Sequence, residues 1–419
     1  MSEATGMQEM AHMRADGAFD EAYLVGVLRS LVRAQSVNPG IYEAAMAQAV
    51  QRALGGLPLE VSVVEFAPGR PSVGAVLRGS GDGPRLVLNG HMDTVPIDDA
   101  DQWTKDPFGG EVCDGFLYGR GACDMKAGLA VQVAVARYLA AHRERLRGDL
   151  VLHFAAGEEL GEPGTLSLLE AGLTGDYGIT TEPTGLRVAT ATRGLAFIRI
   201  RVHGRSIHAS RAQYGVNPVS RLAPVLAVIE EYSAEVATRG HPLLSSGSCT
   251  PTLVTGGVKE NAVADYCELT LDRRMLPSED GHEELEVLRA RLEAIKAHDP
   301  DFAFDIRHLV EPWAGTEIDP GSAFAQRVVA AVGAVTGEPG EIYGAPFGSD
   351  VRNLVNDAGI EAVTFGPGNI VETHCADERV SVEQLRQAAW PPPASPRNSS
   401  CDVQGPTSPL TMSESAVVW

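Results

Sequence analysis

The sequence lacks several features that would identify whole classes of protein. It has no run of about eighteen apolar residues, so we expect no membrane-spanning helix. Basic residues are few, 34 against 55 acidic ones, and the formal net charge of -21 argues against nucleic acid or an anionic membrane surface as the main partner. The six cysteines show no C-x-x-C spacing, which gives no signal of a thiolate zinc site or a disulfide framework, and we interpret them as reduced thiols.

The first residues also lack a targeting signal. The segment MSEATGMQEMAHMRADG is polar and has neither the positive end nor the apolar core of a signal peptide. The chain has 419 residues, of which 44% are hydrophobic, and this is enough for large packed cores in two or three domains. We therefore expect an acidic, globular, cytoplasmic protein.

Predicted strands and helices alternate along the first half of the chain. Short apolar runs bounded by turn residues predict strands, and Ala127–Ala141 has the composition of a strongly apolar helix. This alternation favours an α/β fold, a sheet with helices on both faces. The helix and strands predicted here are Glu21–Gln35, Val61–Glu65, Val73–Arg78, Arg85–Asn89 and Asp149–Ala155.

The pattern changes in the middle of the chain, where half-exposed strands and long helices are typical of an α+β domain. The strands are Ala196–Val202 and Cys267–Arg273, and the helices are Pro218–Ala237 and Glu283–His298. The α/β pattern then returns at Ala323–Thr336 and Glu361–Phe365.

These changes predict a first domain that is interrupted by an insertion. We assign residues 18–186 and 314–390 to the first domain and residues 187–313 to the inserted one. Residues 391–419 begin with a proline triplet and are rich in Pro and Ser, so we expect a disordered tail there.

Acidic residues and histidines follow several of the predicted strands. His91 and Asp93 come directly after a buried apolar run, and ligands collect outside the carboxyl ends of such strands in open α/β sheets. Taken singly, each such residue has an ordinary interpretation as a strand cap, a turn residue, a helix N-cap or a solvated charge. Their repetition at successive strand ends favours one common site. Its members would be His91, Asp124, the pair Glu158-Glu159, Glu182 and His374.

The donor types in this set indicate a metal centre. Imidazole nitrogens and carboxylate oxygens bind zinc, and none of the members is a cysteine. Five ligands of this kind suit two ions, each held by a histidine and a carboxylate, with a third carboxylate bridging them. In the adjacent pair Glu158-Glu159, one glutamate would bind metal while its neighbour accepts a proton from water as a general base.

Eight motifs occur along the chain in a recognisable order: LNGHMDTVP, LYGRGACDMKAG, AAGEELG, TEPTG, VHGRSIHAS, GGVKENAVADYCELTLDRRMLP, FGSD and ETHCADERV. Through them the chain from Ala22 to Leu385 resembles the two-zinc amidohydrolases, which include acetylornithine deacetylase, succinyl-diaminopimelate desuccinylase, aminoacylase and the glutamate-releasing carboxypeptidases. The resemblance implies a zinc-peptidase-like catalytic domain with a mixed, mainly parallel sheet flanked by helices. It also implies that the inserted α+β domain is ferredoxin-like and serves as a lid and dimerisation domain.

The resemblance assigns the metal ligands position by position. His91 and Glu182 would bind one zinc ion, Glu159 and His374 would bind the other, and Asp124 would bridge both. Cobalt or manganese is an alternative to zinc at one of the two positions.

Two further roles follow from the same resemblance. Glu158 would be the general base, and Asp93 would hydrogen-bond the far nitrogen of His91 and so fix its tautomer. The family often has a cis peptide bond just after the bridging aspartate, which here is Asp124-Met125.

Three residues of the inserted domain also match positions with a function in the family. His208 would help to stabilise the oxyanion, commonly in the active site of the partner subunit, and its alternative is a neutral surface histidine. Arg274 would grip a substrate carboxylate through a bidentate fork, or it is a solvated charge at a strand end. Asn261 would contact the same end of the substrate, or it is an ordinary turn residue.

The motifs TEPTG and RGLAFIRIRVHGRSIHAS most resemble the acetylornithine deacetylase and desuccinylase branch. The implied activity is hydrolysis of the amide bond of an N-acyl amino acid, with a metallo-carboxypeptidase as the alternative enzyme. A catalytically inactive binding or scaffold protein is the alternative of another class. The expected partners are a small N-acyl amino acid or short peptide and a second copy of the chain, bound through the inserted domain.

Overall fold

The computed structural model describes residues 21–389, which form two compact units. The first unit contains the described residues up to Thr190, the segment Ile318–Ile342 and the described residues from Ser349 onward. The second unit contains Ala191–Glu317 and the short segment Tyr343–Gly348, which the predicted insertion of residues 187–313 does not include. The predicted tail, residues 391–419, lies outside the described residues.

The helices are α1 (Glu21–Arg33), α2 (Ala44–Leu54), α3 (Ala127–Ala141), α4 (Gly164–Glu170), α5 (Pro218–Val236), α6 (Gly281–Glu293), α7 (Ala323–Thr336) and α8 (Val382–Ala389). The strands are β1 (Glu60–Ala67), β2 (Arg70–Leu77), β3 (Leu86–His91), β4 (Val112–Cys113), β5 (Phe116–Tyr118), β6 (Leu150–Ala155), β7 (Tyr177–Thr180), β8 (Val188–Thr192), β9 (Gly194–His203), β10 (Ser248–Gly256), β11 (Tyr266–Met275), β12 (Phe304–His308), β13 (Thr316–Glu317), β14 (Ile342–Ala345), β15 (Glu361–Thr364) and β16 (Arg379–Ser381). Helices α3 and α7 have the predicted bounds, whereas α2, α4 and β10 are not among the predicted elements.

A mixed sheet forms the centre of the first unit, with strand order β1-β2-β6-β3-β7-β15-β8. Strands β6, β3, β7 and β15 pair in parallel, while β1, β2 and β8 pair with their neighbours in the antiparallel sense. Alternate residues of one strand enter different apolar clusters: Leu88 packs with residues of α1 and α3, and Val87 packs with Leu168 of α4. Both faces of the sheet are therefore covered, as the continuous apolar runs predict.

The second unit has the strand and helix order β9-α5-β10-β11-α6-β12 and a four-stranded antiparallel sheet ordered β10-β11-β9-β12. This is the ferredoxin-like arrangement that the resemblance implies. Its core contains Ile198 and Ile200 of β9, Tyr232 of α5 and Leu288 of α6. Strand β9 alternates between buried and half-buried residues because helices cover only one of its faces.

Two expectations from composition can be compared with the described residues. None of the helices in residues 21–389 is long and apolar enough to cross a bilayer. Cys113, Cys123, Cys249, Cys267 and Cys375 are free, in agreement with the interpretation as reduced thiols.

A buried histidine in the central sheet leads to a prediction about acid stability. His153 of β6 is fully buried, its Nε2 lies 2.7 Å from the carbonyl oxygen of Leu173, and burial lowers its pKa from 6.5 to about 4. In the unfolded chain His153 therefore binds a proton near pH 6.5, whereas in the folded protein it binds one only near pH 4. Stability is full above pH 6.5 and falls as the pH drops toward 4, with a loss from His153 of about 2 kcal/mol between pH 7.5 and pH 5.

The measurement is urea denaturation at both pH values, with His153→Gln as the comparison because glutamine keeps an N–H donor for Leu173. The variant should lose about 2 kcal/mol less than the natural protein on acidification. Equal losses in the two proteins would contradict the assignment.

Candidate metal centre

Three neighbouring parallel strands bring ligand residues to one edge of the central sheet. His91 is the last residue of β3, the pair Glu158-Glu159 opens a short 3₁₀ helix just after β6, and Glu182 follows β7. The register places His91 opposite Ala155, so the carboxyl ends of these strands lie level with one another. The proximity of the ligands follows from parallel pairing of adjacent strands.

A glycine allows the chain to turn sharply before the glutamate pair. Gly157 has φ 86°, and a Cβ atom there would lie 2.6 Å from the Cβ of Glu162. Only glycine accepts both this backbone conformation and this close approach. The motif AAGEELG therefore needs its glycine to direct Glu158 and Glu159 toward the edge of the sheet.

The two remaining candidate ligands lie outside the sheet. Asp124 occupies an irregular turn just before α3, and its peptide bond to Met125 is cis, as the resemblance predicts. His374 follows a short 3₁₀ helix, has φ 54° and keeps a side chain that is 49% exposed. His374 therefore lies at the solvent-accessible rim of an otherwise buried cluster.

Asp124 lies between the two histidines. Its Oδ1 is 3.2 Å from Nε2 of His91, and its Oδ2 is 3.3 Å from Nε2 of His374. The two oxygens of one carboxylate thus face two imidazoles that are 283 positions apart in the chain.

The glutamates complete this cluster. Oε1 of Glu182 lies 3.7 Å from Nε2 of His91, and Oε2 of Glu159 lies 3.3 Å from Nε2 of His374. Oε2 of Glu158 lies 3.8 Å from Nε2 of His91. All the predicted ligands and the predicted base are therefore brought together, and His91, Asp124 and Glu159 have donor atoms within 4.8 Å of one another.

The residues present fit divalent cations in two respects. Tetrahedral zinc with bonds of about 2.0 to 2.2 Å separates its ligand atoms by about 3.3 to 3.6 Å. The distances from Asp124 and Glu159 to the histidines, 3.2 and 3.3 Å, are close to that value. Oε1 of Glu159 is buried and has no hydrogen-bond partner among the described residues, so a cation would satisfy it.

Charge leads to the same conclusion. The buried cluster contains more carboxylates than imidazoles, and buried charges of one sign are costly unless they are paired or coordinate a metal. Hydrogen bonds to Asp124 and Glu159 raise the pKa of His374 to about 11. Burial opposes protonation of His91, but Glu182 and Asp124 still raise its pKa well above its usual value.

The pKa values of two carboxylates, Asp124 and Glu158, shift in opposite directions. Burial raises the pKa of Asp124, but the two histidines outweigh it and hold that pKa below its usual value. Burial, assisted by Glu182, raises the pKa of Glu158 well above that of an ordinary glutamate, although His91 opposes the shift. Such a difference between neighbouring carboxylates is typical of sites that divide ligand and proton-transfer roles.

Residues 87–389 match the model of peptidase family M20/M25/M40. The chain belongs to this family. It is similar to a succinyl-diaminopimelate desuccinylase of Methylorubrum extorquens, with 31% identity over 86% of this chain and 94% of the relative. It is also similar to an N-formyl-4-amino-5-aminomethyl-2-methylpyrimidine deformylase of Halalkalibacterium halodurans, with 28% identity over 87% of this chain and 91% of the relative.

The fold is shared with solved structures. The M20 family metallo-carboxypeptidase Sso-CP2 from Sulfolobus solfataricus has a TM-score of 0.73 with this chain at 18% identity, over 88% of this chain and 97% of that one. Family members and the relatives named as deacylases are hydrolytic enzymes. This M20 chain is therefore a hydrolytic enzyme of a metal-dependent family.

Asp93 has more contacts in the site than the sequence prediction gave it. The nearest partner of His91 Nδ1 is the backbone carbonyl of Asp93 at 3.0 Å, and the Asp93 carboxylate lies 3.5 Å away. That carboxylate also accepts hydrogen bonds from the backbone N–H groups of Gly157, Glu158 and Glu159 at 3.0 to 3.2 Å. Asp93 therefore orients the glutamate turn as well as the imidazole.

A series of buried, hydrogen-bonded polar side chains lies beside the strands that carry the candidate ligands. Sequence reasoning assigned it no role. Asn89 donates to Thr165 Oγ1 at 2.8 Å, and Thr165 donates to Asp350 Oδ2 at 2.7 Å. Thr180 donates to Asn89 Oδ1 at 3.2 Å. These bonds connect β3, α4 and β7, and the motif FGSD, which contains Asp350, was the one available signal.

The three predicted residues of the inserted domain belong to the second unit. His208 and Asn261 are neighbours, since the N–H of Ala209 donates to the Asn261 carbonyl at 2.8 Å. Arg274 forms a bidentate pair with Asp272 at 2.8 and 3.0 Å. Any carboxylate ligand of Arg274 would have to compete with Asp272.

Proposed function

We propose that this enzyme hydrolyses the amide bond of an N-acyl amino acid with the help of two divalent metal ions. The observation that carries the proposal is the position of Asp124, whose two oxygens face His91 and His374 at 3.2 and 3.3 Å. A carboxylate with one oxygen toward each of two imidazoles is the arrangement that a bridging ligand needs.

The distances support the division of ligands that the family pattern implies. His91 and Glu182 would hold one ion, Glu159 and His374 would hold the other, and Asp124 would be shared. Zinc is the proposed metal, with cobalt or manganese as an alternative at one position. When bound, such ions polarise the amide carbonyl and make a nearby water more acidic.

Glu158 is the proposed general base. It is buried beside the cluster but is not needed as a ligand, and burial, assisted by Glu182, raises its pKa, which favours its acceptance of a proton. Its carboxylate would take a proton from the attacking water and deliver it to the leaving nitrogen. The new C–O bond forms first and gives a tetrahedral oxyanion, and the C–N bond then breaks as the nitrogen receives this proton. The remaining hydroxyl proton passes to the amine or to solvent, so the acyl group leaves as a carboxylate.

His208 is the proposed donor to the oxyanion. The N–H of Ser210 donates to its Nδ1 at 3.2 Å, so a neutral imidazole carries its proton on Nε2. His208 is exposed, which leaves Nε2–H free to donate to a substrate oxygen. Asn261 and Arg274 are proposed substrate contacts, and a substrate carboxylate would have to displace Asp272 from Arg274.

The substrate proposal rests on the relatives and on the motifs. The desuccinylase and the deformylase are both named for removing an acyl group from an amine, which supports deacylation. The solved metallo-carboxypeptidase has the same fold and supports the alternative, release of a C-terminal amino acid. An inactive scaffold would not need to retain every ligand and the base, and here all are present.

The test measures how fast the purified enzyme hydrolyses matched N-acetyl, N-succinyl, N-formyl and dipeptide substrates. The number of Zn²⁺ ions per chain is counted in the same preparation. We expect two bound ions and turnover of at least one N-acyl amino acid well above that of the dipeptides. Faster dipeptide cleavage would favour the carboxypeptidase, and metal-loaded protein without any turnover would favour the scaffold.

We also propose that the second unit forms a homodimer through β10. Among the described strands, β10 pairs only with β11 and so forms an edge, and its Leu253 and Val254 are 62% and 57% exposed. Exposed apolar edge strands are templates for pairing with another chain. The resemblance to dimeric relatives supports a second copy as the partner.

A lysine on this edge should prevent the pairing. Val254→Lys is expected to convert a dimer into a monomer in analytical ultracentrifugation, while Val63→Lys, a matched change at a 49% exposed residue of β1, should leave the dimer intact. A monomeric natural protein, or a dimeric Val254→Lys protein, would rule out this interface.

A further inference from the structure

Glu378 is a buried carboxylate that the sequence reasoning did not single out. It lies four residues after His374 and has no exposed surface. Its Oε1 accepts hydrogen bonds from the backbone N–H groups of Cys123 and Asp124, at 2.9 and 3.0 Å. Glu378 therefore holds the backbone of Asp124, a residue 254 positions earlier in the chain.

The other polar atoms of Glu378 bond to the same turn, residues 119–126, called the Asp124 turn below. Its Oε2 accepts from the Nη1 of buried Arg120 at 2.6 Å, and its backbone carbonyl accepts from the N–H of Gly119 at 2.8 Å. Contacts at Gly119, Arg120, Cys123 and Asp124 thus connect one residue to the whole turn before α3. Charge-assisted bonds of this kind are stronger than neutral ones and fix geometry.

Residues 373–378, called the His374 loop below, need such an anchor. The His374 side chain is half exposed and its backbone has φ 54°, a conformation that persists in a non-glycine residue only where surrounding contacts hold it. Asp377 fixes the outer part of the loop by accepting from the N–H and Oγ1 of Thr104 at 2.8 and 2.7 Å. Glu378 connects this loop to the backbone of the Asp124 turn.

A second carboxylate in the site acts in the same way. Asp93 accepts backbone N–H groups at Gly157, Glu158 and Glu159, and Glu378 accepts them at Cys123 and Asp124. In each case a buried carboxylate accepts hydrogen bonds from the main chain of a turn that carries candidate ligands. Outer partners of this kind set the orientation of metal ligands.

We propose that Glu378 is a positioning residue that locks the Asp124 turn to the His374 loop, so that Asp124 faces both histidines and two divalent cations are held tightly. Both of its carboxylate oxygens are used by Cys123, Asp124 and Arg120, and it is not one of the proposed ligands. The inference rests on the proposed two-metal function, because its consequence is metal affinity. Losing Glu378 should weaken metal binding more than any general loss of stability would.

The experiment is chelator competition on purified, Zn²⁺-loaded protein, with bound zinc counted by mass spectrometry and the melting temperature recorded in parallel. Glu378→Ala is expected to weaken zinc retention by about 10- to 100-fold. The matched control is Glu284→Ala in the second unit, which also removes a buried glutamate paired with arginines, Arg239 and Arg273. It should lower the melting temperature but change zinc retention by less than about twofold, since it has no partner in a ligand turn.

The outcomes separate the two proposals. Natural protein that retains no zinc would overturn the two-metal function itself. Natural protein that retains two ions, with Glu378→Ala equal to it in retention, would overturn the positioning role alone. If Glu378→Ala does not fold, Glu378→Gln decides: a loss of about threefold or more supports the role, and unchanged retention overturns it.

Discussion

A Glu158→Gln protein is expected to keep both metal ions and to lose about 10³-fold or more in kcat. Glutamine has nearly the shape of glutamate, and Glu158 lies beside His91 without being needed as a ligand. The ligand set should therefore stay in place. An amide cannot accept the proton of the attacking water, so only proton transfer is removed.

The measurement is kcat together with zinc per chain, in parallel with two neighbouring variants. Glu159→Gln should show the opposite pattern, loss of zinc, because Glu159 faces His374 at 3.3 Å. Glu170→Gln, at an exposed glutamate ending α4, should behave as the natural protein does. Turnover within about tenfold of normal in Glu158→Gln would remove Glu158 from the base role.

Replacement of Asp124 by alanine is expected to impair both metal positions at once and to abolish turnover. Asp124 alone has one oxygen toward each histidine, at 3.2 and 3.3 Å, so its loss takes a ligand from each ion. It also leaves Nε2 of His91 facing Glu158 and Glu182, and Nε2 of His374 facing Glu159. We expect fewer than one tightly bound zinc per chain and kcat reduced by about 10³-fold or more.

The spectrum of cobalt-substituted protein provides an independent measurement, because visible bands report the ligand geometry directly. Asp124→Ala should lose these bands, and Asp101→Ala, an exposed aspartate, should keep them. Two ions retained by Asp124→Ala with an unchanged spectrum would show that the carboxylate does not bridge. Circular dichroism confirms that each variant is folded before the comparison is made.

The site could be predicted to the extent that its residues stand at strand ends. His91, Glu158 and Glu182 each follow an apolar run, and parallel strands bring such ends to one edge. Asp124 and His374 follow no strand of the central sheet, so strand order could not place them at that edge, although residue type grouped them with the other candidates.

Contacts that join distant segments could not be predicted in the same way. Nothing near Glu378 in the sequence shows that its carboxylate would accept from the N–H of Asp124. The H-M-D motif suggests that Asp93 serves His91, but only the packed turn reveals its bonds to Gly157 and Glu159. A bond between residues far apart depends on how every intervening element folds.

The sequence by itself determined the family, the alternation of strands and helices, the inserted ferredoxin-like unit and the set of candidate donor residues, because these depend on local patterns and short motifs. Only the tertiary structure decided that Asp124 lies between His91 and His374, and that Glu378 and Asp93 hold the ligand turns. The physical reason is the separation along the chain over which each effect acts. Periodicity and turn chemistry act over a few residues, whereas buried carboxylates find partners only after the sheet has assembled and excluded water from them.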